Sequence, residues 1–294
     1  MIETQKSFEP SNTGTLYLVP TPIGNLEDMT FRAVNILKEV DLIAAEDTRN
    51  TQRLLNHFEV DTPQTSFHEH NSRERTPQLV SKLLDGNSIA QVSDAGMPSI
   101  SDPGVDLVKA AVEAGISVVP LPGANAALTA LIASGLTPQP FYFLGFLPRK
   151  KKDLISELEE LNKRKETLVF YESPHRVKQV VEEMEKVFGS QRQIVLAREV
   201  TKRFEEFIRG TSKEISEWLS NENIRGEFVV IVEGNEDAEA EEDKIWENWT
   251  LKEHVDFIME NSGYSSKQAI KEVSLLRDMP KRDVYSAYHE LDSQ

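Results

Sequence analysis

Between Thr15 and Gly135 one pattern recurs: a short apolar run, a loop, then a segment with apolar residues at helical spacing. The runs are "TLYLVP" from Thr15, "DLIAAED" from Asp41, "SIAQVS" from Ser88 and "ISVVPLP" from Ile116. The segments between them include "TFRAVNILKEV", "TRNTQRLLNHF", "ERTPQLVSKLLDG", "VDLVKAAVEAG" and "NAALTALIASG". Strands that alternate with helices of this length are joined by crossovers, which makes the expected sheet parallel or mostly parallel and the fold α/β.

A second α/β unit starts near "FYFLGFLPRKKK" (Phe141–Lys152). Strands are expected at "ETLVFYES", "RQIVLARE" and "GEFVVIVEG", helices at "KDLISELEELNKR", "RVKQVVEEMEKVFG" and "SKEISEWLSN", with hairpin-like or mixed connections. Beyond it, three helical segments broken at Ser262-Gly263 and Met279-Pro280 resemble a helix-turn-helix module. The expected organisation is a polar leader over 1–14, α/β domains over 15–138 and 139–234, an acidic linker over 235–248 and a helical module over 249–294.

Composition narrows the function. The 294 residues carry a formal charge of −16, which argues against nucleic-acid binding by bulk electrostatics alone. Much of that acidity sits in the tail, where "EGNEDAEAEED" (Glu233–Asp243) reads as a solvated linker. No stretch approaches the roughly 20 apolar residues of a membrane span. The N-terminus lacks the pattern of a signal peptide. The chain has no cysteine. That excludes disulfides and thiolate chemistry and fits a cytoplasmic protein.

The stretch "SDAGMPSISDPG" (Ser93–Gly104) repeats Ser-Asp-x-Gly between a strand and a helix, at the edge where open α/β sheets bind ligands. "PTPIGNLED" and "PLPGANAA" have the same placement, so three Gly/Pro loops rim one pocket. The alternative is that Ser and Asp only cap turns and helices, and this reading is preferred for Asp102, just before Pro103-Gly104. Neither the P-loop nor the dinucleotide fingerprint is present. A cationic or neutral ligand suits loops carrying Asp94 and few basic residues. His68 and His70 flank Glu69 without the further ligand spacing of a zinc site, and no metal is expected.

Nine fragments, in order, resemble the ribosomal RNA small subunit methyltransferase I family of the tetrapyrrole methylase superfamily: "VPTPIGNLEDMTFRA", "AAEDTRNTQRLL", "SFHEHN", "SDAGMPSISDPG", "PLPGANAALTALIASGL", "GFLPRK", "FYESPHR", "AREVTKRFEE" and "GEFVVIVEG". Met97 and Ala124-Asn125 depart from the commonest family pattern at the pocket rim. The resemblance implies two α/β domains with S-adenosylmethionine in the cleft between them, and a homodimer. It also implies methyl transfer to the ribose 2′-hydroxyl of a cytidine in the decoding region of 16S ribosomal RNA, in the 30S subunit. For the cofactor it points to Pro22, to Ser93, Asp94, Ala95 and Gly96, to Ile100 and Ser101, and to Ala126, Tyr171, Ala197 and Gly226.

On the acceptor side, a ribose hydroxyl is a poor nucleophile, and a base that takes its proton helps. Glu46, Asp47 and His70 are the candidates. Arg49 suits a phosphate, and the second domain carries basic clusters that include Arg149, Lys150, Lys151, Arg176, Arg198 and Lys202. Helix capping and a surface ion pair explain Asp47-Thr48-Arg49 equally well. Two other functions stay open: methylation of a tetrapyrrole or protein residue, and a binding module that senses the cofactor.

Overall fold

The computed structural model describes residues 4–7, 9, 12–237, 246 and 249–289, so the expected leader lies partly, and the acidic linker mostly, outside the described residues. The chain divides into two compact units, an α/β unit that reaches Gly234 and a second, helical unit beyond it that also takes in Asn162–Lys165.

In the α/β unit the first sheet is built from β1 (Thr15–Leu18), β2 (Leu42–Ala45), β3 (Gln64–Ser66), β4 (Ile89–Val92) and β5 (Ser117–Pro120). All neighbours pair in parallel, in the order β3-β2-β4-β1-β5. The connecting helices are α1 (Phe31–Glu39), α2 (Thr48–His57), α3 (Ser72–Leu84) and α4 (Val105–Glu113). Side chains alternate across the sheet. Ile43, Ala45, Ala90 and Val92 join the core under α1 and α2, whereas Leu16, Ala44 and Ile89 join the one under α3 and α4. Both faces are covered, which is why these strands read as continuous apolar runs. β3 has the sequence Gln-Thr-Ser and no apolar residue, so the sequence pattern passes over it. The crossovers of the adjacent β2 and β4 run apart, to β3 on one edge and to β5 on the other, which makes the gap between them the topological switch point of the sheet.

The second sheet comprises β6 (Phe141–Phe146), β7 (Thr167–Glu172), β8 (Gln193–Arg198), β9 (Glu206–Thr211) and β10 (Phe228–Val232), ordered β6-β7-β10-β8-β9. β6 and β7 are parallel and the other pairs antiparallel, as the mixed connections require. Helices α6 (Lys151–Leu161), α7 (Val177–Phe188) and α8 (Ser212–Asn221) cover one face, packed on Leu168, Phe170, Leu196 and Val230. The opposite face is covered by α5 (Ala126–Ser134), which follows the first sheet in the chain but sets Ala127, Ala130 and Leu131 against Val169, Val195 and Ile231. The Arg209 guanidinium fastens it by donating to the carbonyls of Ser134, at 2.9 Å, and Ala133, at 2.7 Å.

The helical unit holds α9 (Leu251–Ser262), α10 (Ser266–Leu276) and α11 (Lys281–Tyr288) around Val255, Ala269, Ile270, Val273 and Val284. Capping boxes at Thr250/Glu253 and Ser265/Gln268 start the first two helices, and Gly263 in the left-handed region ends the first. Arg277 donates to the carbonyls of Trp246 and Trp249 and to Nδ1 of the buried His254, whose ring stacks on Trp246 with centroids 4.9 Å apart. Burial and the Arg277 charge hold the His254 imidazole down at about 4, from 6.5. A histidine depressed in this way stabilises the fold as the neutral ring, so its contribution is complete above about 6.5 and is lost as pH falls toward 4. Urea unfolding of the full chain, followed by tryptophan fluorescence, is expected to give a lower unfolding free energy at pH 5 than at pH 7, by up to about 2 kcal/mol. That difference shrinks in His254→Leu.

Candidate active site

The loop Ser93–Gly104 leaves β4 at the switch point and is pinned at two places. Thr21 and Gly96 exchange backbone hydrogen bonds, each 3.0 Å, which ties the loop after β4 to the loop after β1. Further on, the buried Gln91 sends its amide Nε2 to the Pro103 carbonyl at 2.9 Å. Gly104 is required there: its φ is +146°, and a Cβ would lie 1.9 Å from Gln91 Nε2. Between the pins, Ser99 and Ser101 take positive φ values of 71° and 61°, so the chain doubles back and carries Ser101 toward the second sheet. The bulge in β6 leaves room for it, since a Cβ on Gly145 would stand 2.9 Å from Ser101 Oγ.

The result is a cavity of about 410 Å³ between the carboxyl ends of the first sheet's strands and those of β6, β7 and β8. That volume is in the range of small-molecule sites, roughly 300–1,000 Å³. Of the residues singled out from sequence, Ala95, Gly96, Ile100, Ser101, Ala126, Tyr171 and Ala197 line it. Phe146 and Tyr171 form an aromatic corner with centroids 5.7 Å apart. The Tyr171 hydroxyl accepts the Ala127 N–H at 3.3 Å, which fixes the start of α5, while Asn125 caps that helix by accepting from Leu128 N–H.

Four carboxylates face the cavity: Asp102, Glu172, Glu199 and Glu227. Burial, then the neighbouring charges of Glu46 and Asp94, push Asp102 up to about 6, with the Ser93 hydroxyl partly offsetting them. Burial also raises Glu172 and Tyr171. The preference for a turn-capping role at Asp102 is thus corrected: its carboxyl is half-buried on the cavity wall. The sequence signal was present in the duplicated Ser-Asp-x-Gly, but Pro103-Gly104 made a turn the simpler reading. Phe146 and the Glu172–Pro174 turn carried no signal of their own.

The remaining cofactor candidates lie elsewhere. Pro22, Ser93 and Asp94 line a neighbouring pocket of about 230 Å³ with Asn50 and Arg53, and Asn50 Nδ2 donates to Asp94 at 3.2 Å. Gly226 stands behind the cavity wall. A Cβ there would press on the Glu199 side chain at 2.6 Å, and Glu199 needs that space to accept the Glu227 N–H.

Among the base candidates, Glu46 accepts the Asp94 N–H at 3.1 Å, and burial pushes its carboxyl up. Asp47 caps α2 and grips Arg49 at 2.7 Å, and the Arg49 guanidinium holds its carboxyl down at about 2. His70 is exposed on the turn after β3, its ring centroid 6.0 Å from that of His68.

Most of the basic residues brace the fold. Arg176 donates to the Leu147 and Pro148 carbonyls and lies 3.6 Å from Glu172, Arg198 holds the Arg225 carbonyl and Glu206, and Lys151 pairs with Glu183. Arg149 and Lys150 are exposed at the start of α6. Lys202 is drawn into the cavity, where it bridges Glu199 at 2.9 Å and Glu227 at 2.8 Å and packs its stem on Gly24.

Removing that bridge leaves two carboxylates facing each other. Lys202→Met is expected to lower unfolding free energy at pH 7 by about 1 to 3 kcal/mol, read from urea denaturation. Burial works against the ionised form of Glu199, and Lys202 with the Glu227 N–H outweighs it, so that carboxyl sits below its usual range. The stabilisation exists above the unfolded value and is lost on acidification, and the gap between variant and parent therefore narrows as pH falls.

The family model for Tetrapyrrole (Corrin/Porphyrin) Methylases matches residues 15–216. Ribosomal RNA small subunit methyltransferase I of Bacillus subtilis (strain 168) is 54% identical, over 98% of this chain and 99% of that protein. The protein of the same name from Halalkalibacterium halodurans is 51% identical, over 98% of this chain and 100% of its own length. Among solved structures, a cobalt precorrin-4 methyltransferase superposes with a TM-score of 0.58 at 18% identity, covering 77% of this chain and 98% of that one. The Thermus thermophilus uroporphyrin-III C-methyltransferase complexed with S-adenyl homocysteine gives 0.54 at 17% identity, covering 75% and 97%. These two share the fold. A family match over most of the length, with full-length relatives at half identity, establishes that the chain belongs to the tetrapyrrole methylase family, among the ribosomal RNA small subunit methyltransferase I proteins.

Proposed function

We propose that this chain transfers a methyl group from S-adenosylmethionine to small-subunit ribosomal RNA, at the 2′-hydroxyl of a cytidine ribose in the decoding region. The observation that carries the reading is the cavity itself: a small-molecule volume with an acidic charged lining, in a chain that shares half its residues with proteins named for ribosomal RNA methylation.

The lining suits the cofactor. S-adenosylmethionine supplies a methyl group on a positively charged sulfonium beside a charged ammonium, and an adenosine. Glu172 and the Glu199/Glu227 pair favour the cationic end, and the Phe146–Tyr171 corner offers ring faces to cation or adenine. Gly96 and Ala95 allow main-chain groups to approach a base edge. The protein's task in such a displacement is to hold acceptor oxygen and methyl carbon close and in line, at roughly 3 to 3.5 Å. The loops carrying Glu46 and Asp94, with Arg53 on α2, border the cavity on the first-sheet side and form the acceptor side in this reading. Arg149 and Lys150, exposed just before α6, are available to phosphates. A protein with a formal charge of −16 is suited to an assembled subunit of fixed shape, in the cytoplasm, and acts in this reading as a homodimer.

Purified protein with radiolabelled cofactor is expected to label the RNA of 30S subunits, at one cytidine, in a linkage that blocks alkaline cleavage of the following phosphodiester. Label in a tetrapyrrole and none in RNA, free or assembled, would overturn the reading. Tyr171→Ala is expected to weaken cofactor binding at least tenfold by calorimetry, and Asp94→Ala much less, because Asp94 faces the neighbouring pocket.

A further inference from the structure

We infer that Asp102 is the group that takes the proton from the acceptor hydroxyl. The inference rests on the methyl-transfer reading above and assigns a step that the reading leaves without a residue.

The argument is geometric first. Asp102 is the one carboxylate among the described cavity-lining residues that comes from the first sheet's loops; Glu172, Glu199 and Glu227 all belong to the second sheet's side. It is close enough to Glu46 and Asp94 to feel both charges, and Tyr171 on the opposite wall feels its own. Asp94 lines the neighbouring pocket, whereas Asp102 lines the cavity. The carboxylate therefore stands where the cofactor space meets the acceptor side, and the positive φ at Ser101 between two pinned ends holds it there.

The other carboxylates have prior commitments. Glu199 accepts from Lys202 and the Glu227 N–H, Glu227 pairs with Lys202, and Glu172 accepts the Ser173 N–H beside Arg176. Asp47 is locked to Arg49. Among the described residues, the charges that act on Asp102 are those of Glu46 and Asp94, both negative, and the Ser93 hydroxyl offsets them only in part. Its ionisation near pH 6 leaves it a carboxylate at neutral pH and a stronger base than an ordinary aspartate.

The step balances. The ribose oxygen forms a bond to the methyl carbon as the carbon–sulfur bond breaks, its electron pair stays on sulfur as a neutral thioether, and the hydroxyl proton passes to the Asp102 carboxylate. Solvent then accepts that proton. No oxidant, metal or further reactant is needed.

The test compares the parent with Asp102→Asn and Asp102→Glu, full-length, on 30S subunits under single turnover with saturating S-adenosylmethionine. The parent rate is expected to rise about tenfold per pH unit on the acid side and to level off near neutrality. Asp102→Asn is expected to lose about 10²-fold or more and to lose the acid limb, with cofactor affinity by calorimetry within about threefold of the parent, as a base acting on the other substrate requires. Asp102→Glu is expected to restore part of the rate and the limb. Carboxyl ¹³C NMR of the cofactor-free protein is expected to show one aspartate titrating near pH 6 that disappears in Asp102→Asn. A parent that methylates RNA alongside an Asp102→Asn variant with near-parent rate and unchanged limb overturns this inference alone. So does a variant whose loss is recovered by raising cofactor concentration, because Asp102 is then a cofactor ligand. A parent that binds cofactor but methylates no RNA overturns the functional reading, and this inference with it.

Discussion

The arrangement depends on how one loop is held at the carboxyl edge of a parallel sheet. β1 and β4 are adjacent parallel strands whose own pairing does not close the space above their carboxyl ends. The Thr21–Gly96 backbone pair closes it at one end and the Gln91–Pro103 hydrogen bond at the other. Everything between is thereby forced outward toward β6, where the bulge at Gly145 accommodates Ser101. A buried glutamine in an otherwise apolar strand is costly unless its amide is bonded. Here the bond stabilises the loop, and the cavity wall follows from it.

The second organising feature is the separation of charge. Carboxylates collect around the cavity while most nearby guanidinium and ammonium groups turn to carbonyls or to single acidic partners, as Arg176, Arg198 and Arg209 do. Lys202 is the exception, and it is spent on a Glu199/Glu227 pair. The cleft consequently keeps a net negative lining, which favours a cationic occupant in a low-dielectric space and, together with burial, raises the basicity of Asp102.

Strand-by-strand, the sequence was a good guide wherever burial on both faces wrote itself as an apolar run. β4 and β10 are of that kind, entirely buried along their lengths. It was a poor guide at β3, an edge strand of Gln-Thr-Ser stabilised by pairing with β2 rather than by its side chains. The cavity lining was legible at Gly96, Ser101, Tyr171 and Ala197 through the family resemblance. Which face of a tight loop each Ser or Asp takes was not: Asp94 and Asp102 occupy equivalent places in the two copies of Ser-Asp-x-Gly yet line different pockets. That outcome depends on φ at Ser99 and Ser101, a long-range consequence of the pinned ends. Likewise, Gly226 and Lys202 were recognisable as special, but only the coordinates show that one makes room for Glu199 and the other neutralises it.

Helix α5 bears on how this chain comes to be folded as it leaves the ribosome. The parallel sheet is complete once Pro120 has been synthesised, and α5 follows at once, yet its apolar face belongs to a core whose central strand, β10, is among the last of the α/β unit to emerge. During that interval Ala127, Ala130 and Leu131 have no sheet to cover, and the nascent chain carries a sticky helix tethered to a finished half-fold. Docking of the second sheet onto that waiting helix is thus the event that both ends the exposure and creates the cleft, so translation beyond Val232 is the earliest moment at which the chain can possess a complete binding cavity.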